Sequence, residues 1–159
     1  MHHWRRNSAL ILAGVLLLGS CLSVSAEEIE LAGYHVYEVE EDAVSDTWYG
    51  IGRGDILSTG SSKITKVNST HVQVSGSTTA HRTCDRVYVR VYLDKSSDAK
   101  NWGNLDYWTT EKSNAAMASV ESESYEVPQN YYYRAQGAHS VTKGSTTEAT
   151  NTCTNALKL

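Results

Sequence analysis

The segment YYYRAQGAHSV, residues 131–141, brings together Arg134, whose guanidinium could grip an anion, and His139, whose imidazole could move a proton near neutral pH. Earlier in the chain, His81 and Cys84 frame the stretch HRTC with a gap that two ligands of one metal could share. His81, Cys84, His139 and Cys153 would complete a zinc set, but the second pair is spaced too widely for a usual knuckle. Asp94, Asp98, Asn101, Asn104 and Asp106 make an oxygen-rich stretch that could hold calcium, yet their spacing departs from the EF-hand pattern and such residues are ordinary turn formers. No metal or other cofactor is expected. A nucleophile activated by His81, Asp85 or His139 can be drawn only because Ser and Thr are so common here. The chain has no Gly-x-Ser-x-Gly elbow and no His-Glu-x-x-His pair, so no catalytic residue is assigned. A hydrolase using His81 or His139 stays as an alternative.

Residues 102–108, WGNLDYW, interleave rings with polar groups. As a strand they place Trp102, Asn104, Asp106 and Trp108 on one side and Leu105 and Tyr107 on the other. With the Leu105 side inward, two indoles and two hydrogen-bonding groups would face water, as in a sugar-binding face. Six residues of strand separate the indoles by roughly 20 Å, so only a longer glycan or a protein surface could meet both. The alternative is that the tryptophans fold over the core or pack on a Cys84–Cys153 bridge. A second candidate face joins Arg86, Tyr88, Arg90 and Tyr92 with Tyr132 and Arg134. Arg and Tyr are enriched at contact hot spots, and they also stabilise a sheet by pairing ring on guanidinium.

These groups need strands to position them. In residues 84–94, CDRVYVRVYLD, Val87, Val89, Val91 and Leu93 alternate with Arg86, Tyr88, Arg90 and Tyr92, which is the pattern of a central strand with one core face. Residues 34–39, 48–53, 63–67, 71–75, 105–110, 124–127, 131–141 and 148–153 read as further short strands. Residues 111–121 could instead form a short helix capped by Asn114. Along 131–141, His139 shares the core side with Tyr131, Tyr133, Ala135 and Val141 unless a bulge at Gly137 swaps the faces beyond it. The sum is an all-β fold, an antiparallel β-sandwich of immunoglobulin-like or jelly-roll-like type.

The first 26 residues have a basic start, an apolar run and a small-residue end, the design of a secretory signal peptide. A competing reading makes Cys21 the lipid-bearing first residue of a surface-anchored protein. Residues 27–159 then form a single domain with no transmembrane segment, since a spanning helix needs roughly 20 apolar residues. Removing the leader leaves 12 basic against 18 acidic residues, which argues against nucleic acid as a partner. In an exported chain Cys84 and Cys153 are most simply one disulfide, closing a loop of about 70 residues for roughly 4 kcal/mol.

The stretches DTWYGI (46–51), CDRVYVR (84–90), and Tyr133-Arg134 leading to Gly137, His139 and GSTTE (144–148), resemble a family of small secreted proteins of Gram-positive, clostridial-type bacteria, catalogued as a domain of unknown function. The resemblance implies an exported, sandwich-like domain. It transfers no catalytic residue and favours Tyr133, Arg134, Gly137 and His139 as parts of a fold signature. The expected function is a secreted binding or interaction module for a glycan or cell-surface protein, with a toxin-like or inhibitory protein as a further alternative.

Overall fold

The computed structural model describes residues 29–31, 34–36, 38–39, 41–50 and 56–159. The expected leader, residues 1–26 with Cys21, lies outside the described residues, as do positions 51–53 of the strand expected at 48–53. Every regular element among the described residues is a strand. β1 (Ile29–Leu31) and β2 (Tyr34–Val36) pair with each other. β3 (Glu38–Val39), β4 (Ala43–Tyr49), β5 (Leu57–Asn68), β6 (His71–Ser96), β7 (Gly103–Glu121), β8 (Tyr125–Glu126), β9 (Tyr132–Lys143), β10 (Thr146–Cys153) and β11 (Ala156–Lys158) join one nine-stranded sheet. All its pairings are antiparallel except β3 with β11.

The expectation of two stacked sheets is corrected here: one continuous sheet curls into a half-barrel. The reason is β6, whose 26 residues replace the two separate strands expected at 71–75 and 84–94. No glycine or proline interrupts His81-Arg82-Thr83, so nothing in the chain forces a turn there. Along one edge β6 pairs with β5 as far as Ala80 and with β9 from Arg86 onward. Along its other edge β7 follows both halves, with a register shift between the Thr79 and Cys84 pairings where the sheet bends. The helix expected over 111–121 is the second half of β7 instead. Asn114 caps nothing; its φ of 51° is a local left-handed kink in the strand.

Folding the sheet on itself brings Val44, Ile64, Val72 and Val74 of the first half against Val87, Val89, Val91 and Leu93 of the second, all buried. Each such side chain contributes about 1.5–3 kcal/mol by leaving water. The two layers approach closely at Gly76, where a β-carbon would overlap Val91 Cγ2. The seam opposite the bend is closed by side chains rather than by a ladder. Glu148 Oε2 accepts from the amides of Ile56 and Leu57, each at 2.7 Å, and Asp46 Oδ2 accepts from Cys153 N at 2.8 Å. At the β9–β10 hairpin Gly144 takes a φ of 59°, and Asp85 accepts from its amide at 2.7 Å and from Lys143 Nζ at 2.9 Å. Those donors hold the Asp85 carboxyl below the usual carboxylate range.

The expected disulfide is also corrected: Cys84 and Cys153 are both free thiols, and both are buried. Cys84 packs in the main core, whereas Cys153 packs with Ala156, Trp102 and Tyr132 in a separate cluster. Cys153 lies opposite Gln136 of β9, and the β9 residue opposite Arg86, near Cys84, is Thr142. Those six positions of strand amount to roughly 20 Å. A disulfide needs Cα atoms within about 7 Å.

Candidate functional site

The β9 register runs unbroken from Thr142 to Tyr132, so Gly137 carries no bulge and His139 faces the core at 1% exposure. Its Nδ1 lies 2.9 Å from Thr78 Oγ1 and its Nε2 lies 2.9 Å from Thr152 Oγ1. Thr78 is placed to donate onward to Tyr88 O at 2.8 Å, and Thr152 to Ser62 Oγ at 2.9 Å. A neutral imidazole offers one donor and one acceptor, so one of the two threonines donates to the ring and the other accepts from it. Burial pushes the His139 pKa down to about 4. Thr78, Thr152 and Ser62 are each at most 1% exposed, so the hydroxyls that meet the His139 ring are closed off from solvent. The network ties the two halves of the half-barrel together. His81, the other catalytic candidate, is exposed on β6.

The metal candidates likewise serve the fold. Asp98 Oδ1 accepts from Ser96 Oγ and from the amides of Lys100 and Asn101, which lowers its pKa strongly and organises the turn before β7. Asp94 is engaged by Arg134 and Asn104. Among the described residues no three His, Cys, Asp or Glu side chains converge as a metal site.

The tryptophans take packing positions. Gly103, Asn104, Leu105 and Tyr107 are exposed while Asp106 and Trp108 are half-buried, and Leu105 stands in a register irregularity between the Asp106 and Asn104 pairings. Trp108 is half-buried against the main core, edge-on to Tyr125 with centroids 5.5 Å apart. Trp102 precedes β7, donates from Nε1 to Ala99 O at 3.2 Å, and lies over the Arg134 guanidinium at 4.3 Å. Beneath it Arg134 Nε donates to Asp94 Oδ2 at 3.1 Å, and the pair is almost fully buried. Asn104 also bonds the Asp106 carbonyl, while the Asp106 carboxylate caps the Tyr107 amide.

The outer face of the second half gathers most of the remaining candidates. Arg86, Tyr88, Arg90 and Tyr92 point away from the core because Val87, Val89, Val91 and Leu93 point into it. The Arg86 guanidinium stands 5.1 Å from the Tyr88 ring and pairs with Glu111 at 2.7 Å, holding that carboxyl below its usual range. Arg90 sits among three rings, 4.7 Å from Tyr107, 5.8 Å from Tyr88 and 5.9 Å from Tyr92. Its one side-chain hydrogen bond among the described residues is a long one, from Nη1 to Tyr92 Oη at 3.4 Å. Arg86 and Arg134 each have a carboxylate, and Arg90 has none among the described residues. Two buried side-chain polar atoms lack a partner among the described residues, Arg90 Nε and Arg134 Nη1, and both belong to this face.

Beside Arg90 the face dips. Ala138 pairs with Arg90, and Ala149 lies opposite Ser140, the partner of Tyr88. These methyl-sized side chains open a depression of about 220 Å³ edged by Tyr88, Ser140 and Asn151, with the inward-facing pair His139 and Thr150 also lining it. Sequence reasoning named Arg86, Tyr88 and Arg134 but missed the two alanines, because their role depends on which strands become neighbours. A larger hollow of about 570 Å³ on the first half is floored by hydroxyls such as Ser61 and Ser77, which bond each other at 2.9 Å. No buried polar side-chain atom there lacks a partner.

No helix among the described residues is long and apolar enough to cross a membrane. No curated protein and no solved structure matches the chain. A model described as a family of unknown function, DUF6147, matches residues 22–157, and by that match the chain belongs to this family.

Proposed function

We propose that this protein is an exported binding module of a Gram-positive cell, and that it meets a glycan or surface protein through the Arg–Tyr face of β6, β7 and β9. The leader-like first 26 residues support export. The observation that carries the binding reading is Arg90, a guanidinium walled by three tyrosines with no carboxylate partner among the described residues and a buried Nε left without a hydrogen bond. A guanidinium with no carboxylate of its own chain leaves its positive charge for a partner's anion, which gains a charge-assisted bond from it. Arg and Tyr are also the residues most often dominant in contact energy.

The test is an array of glycans and secreted or surface proteins, probed with wild type and with Tyr88→Ala and Arg90→Ala. Binding by wild type that both changes abolish, with thermal melting preserved, supports the reading. A silent array, or capture that survives both changes, sinks it.

A further inference from the structure

Resting on that reading of the face, we infer that its ligand is an acidic saccharide, with the anionic group on Arg90 and one sugar ring in the neighbouring Ala138–Ala149 depression. Arg90 requires the charge. Its planar fork matches a carboxylate or a sulfate, and the three tyrosine rings keep it extended and ready rather than collapsed onto an acid of its own chain.

The depression requires the sugar. Register puts Ala138 opposite Arg90 across one strand spacing, about 5 Å, so anion and ring would belong to one small unit. Its volume of about 220 Å³ suits a single ring rather than a drug-sized or peptide segment, for which pockets run from about 300 to 1,000 Å³. Its outward side chains are Ala138 and Ala149, with the Ser140 hydroxyl and Asn151 amide at the rim and Tyr88 beside them, while His139 and Thr150, which also line it, pair with each other and belong to the inner face. A pyranose has the same division, an apolar ring face with hydroxyls around its edge. An acidic peptide would satisfy Arg90 and leave the depression unused.

Immobilised wild-type protein would be offered polygalacturonate as the carboxylate probe, chondroitin sulfate as the sulfate probe, uncharged dextran, and poly-glutamate. One of the two acidic polysaccharides should bind, which tells carboxylate from sulfate, and dextran should not. Arg90→Gln should weaken that binding about tenfold or more, and Arg90→Lys, which keeps the charge without the fork, should recover only part of it. Ala149→Leu lies on an exposed position and fills the depression; it should weaken the polysaccharide while leaving any residual poly-glutamate binding unchanged. Poly-glutamate binding as tightly as the polysaccharides, dextran binding equally well, wild-type affinity in Ala149→Leu, or no binding by any probe would each overturn the inference. The array separates the two failures. Array capture lost in Arg90→Ala keeps the face as the binding surface even when every polysaccharide fails, and a silent array removes both.

Discussion

Gly60 of β5 leaves the space that the His139 ring of β9 fills: a β-carbon at position 60 would stand 2.6 Å from both Cγ and Cδ2 of the imidazole. Gly137 makes the same allowance from the other side, where a β-carbon would overlap Thr152 Oγ1 and His139 Nε2. The buried polar network is thus cut to the shape of one side chain. Gly60→Ala should cost about 2 kcal/mol in chemical denaturation. The same change should cost much less beside His139→Ala, because the ring it strikes is gone. Equal costs in the two backgrounds would show that Gly60 serves the backbone rather than the imidazole.

The His139 imidazole titrates near 6.5 in the unfolded chain and near 4 in the folded one, with burial as the cause. Between those values the unfolded state binds the proton and the folded state does not. Stability from the neutral ring is therefore complete above about pH 6.5 and is lost as pH falls toward 4, by about 3 kcal/mol in all. Among the described residues no charged side chain is hydrogen-bonded to the ring. Urea unfolding at pH 7.5, 5.5 and 4.5 should follow this slope, and His139→Gln should flatten it. An identical slope in the variant would assign the pH dependence to other groups.

The Cys84 and Cys153 thiols should be unreactive in the native protein and titrate fully once it is unfolded, since both are buried and burial raises the Cys153 pKa. Ellman's reagent in buffer and in guanidinium gives the comparison. An intact mass two hydrogens short of the dithiol, or a melting point that falls on adding reductant, would contradict the separated positions of Cys84 and Cys153.

Glu148 closes the seam by accepting from two consecutive amides. Glu148→Ala leaves both without that acceptor and should cost about 1–3 kcal/mol, while Glu148→Gln keeps one acceptor oxygen and should recover part of the loss. Matching stabilities for the two variants would show that the amides find water instead.

Much of this was legible before folding. The alternation of Val87, Val89, Val91 and Leu93 with Arg86, Tyr88, Arg90 and Tyr92 states both faces of a strand, because side chains on a strand must alternate. His139 beside Val141 reads as core on the same rule, and the structure buries both. What was hidden depends on partners in space. The extra length of β6 is not legible because residues 76–83 lack the apolar alternation that marks the two segments around them, and His81-Arg82-Thr83 is an exposed stretch of strand at the bend. The disulfide was inferred from compartment and count, neither of which knows that six strand positions intervene. Leu105 and Tyr107 face outward against the simplest hydrophobic rule, since the irregularity in β7 and the half-buried Trp108 give the inner side to the indole. The depression next to Arg90 exists only once β9 and β10 bring Ala138 and Ala149 alongside.

β6 is common property of both halves, and β7 splints it across the bend by pairing with Thr79 on one side and Cys84 on the other. The nine-stranded sheet therefore has no severable half among the described residues. A fragment ending at the bend would strip Val72 and Val74 of their opposite wall, and one beginning there would do the same to Val89 and Val91. Anyone wishing to shorten or transplant this scaffold must carry the whole ribbon.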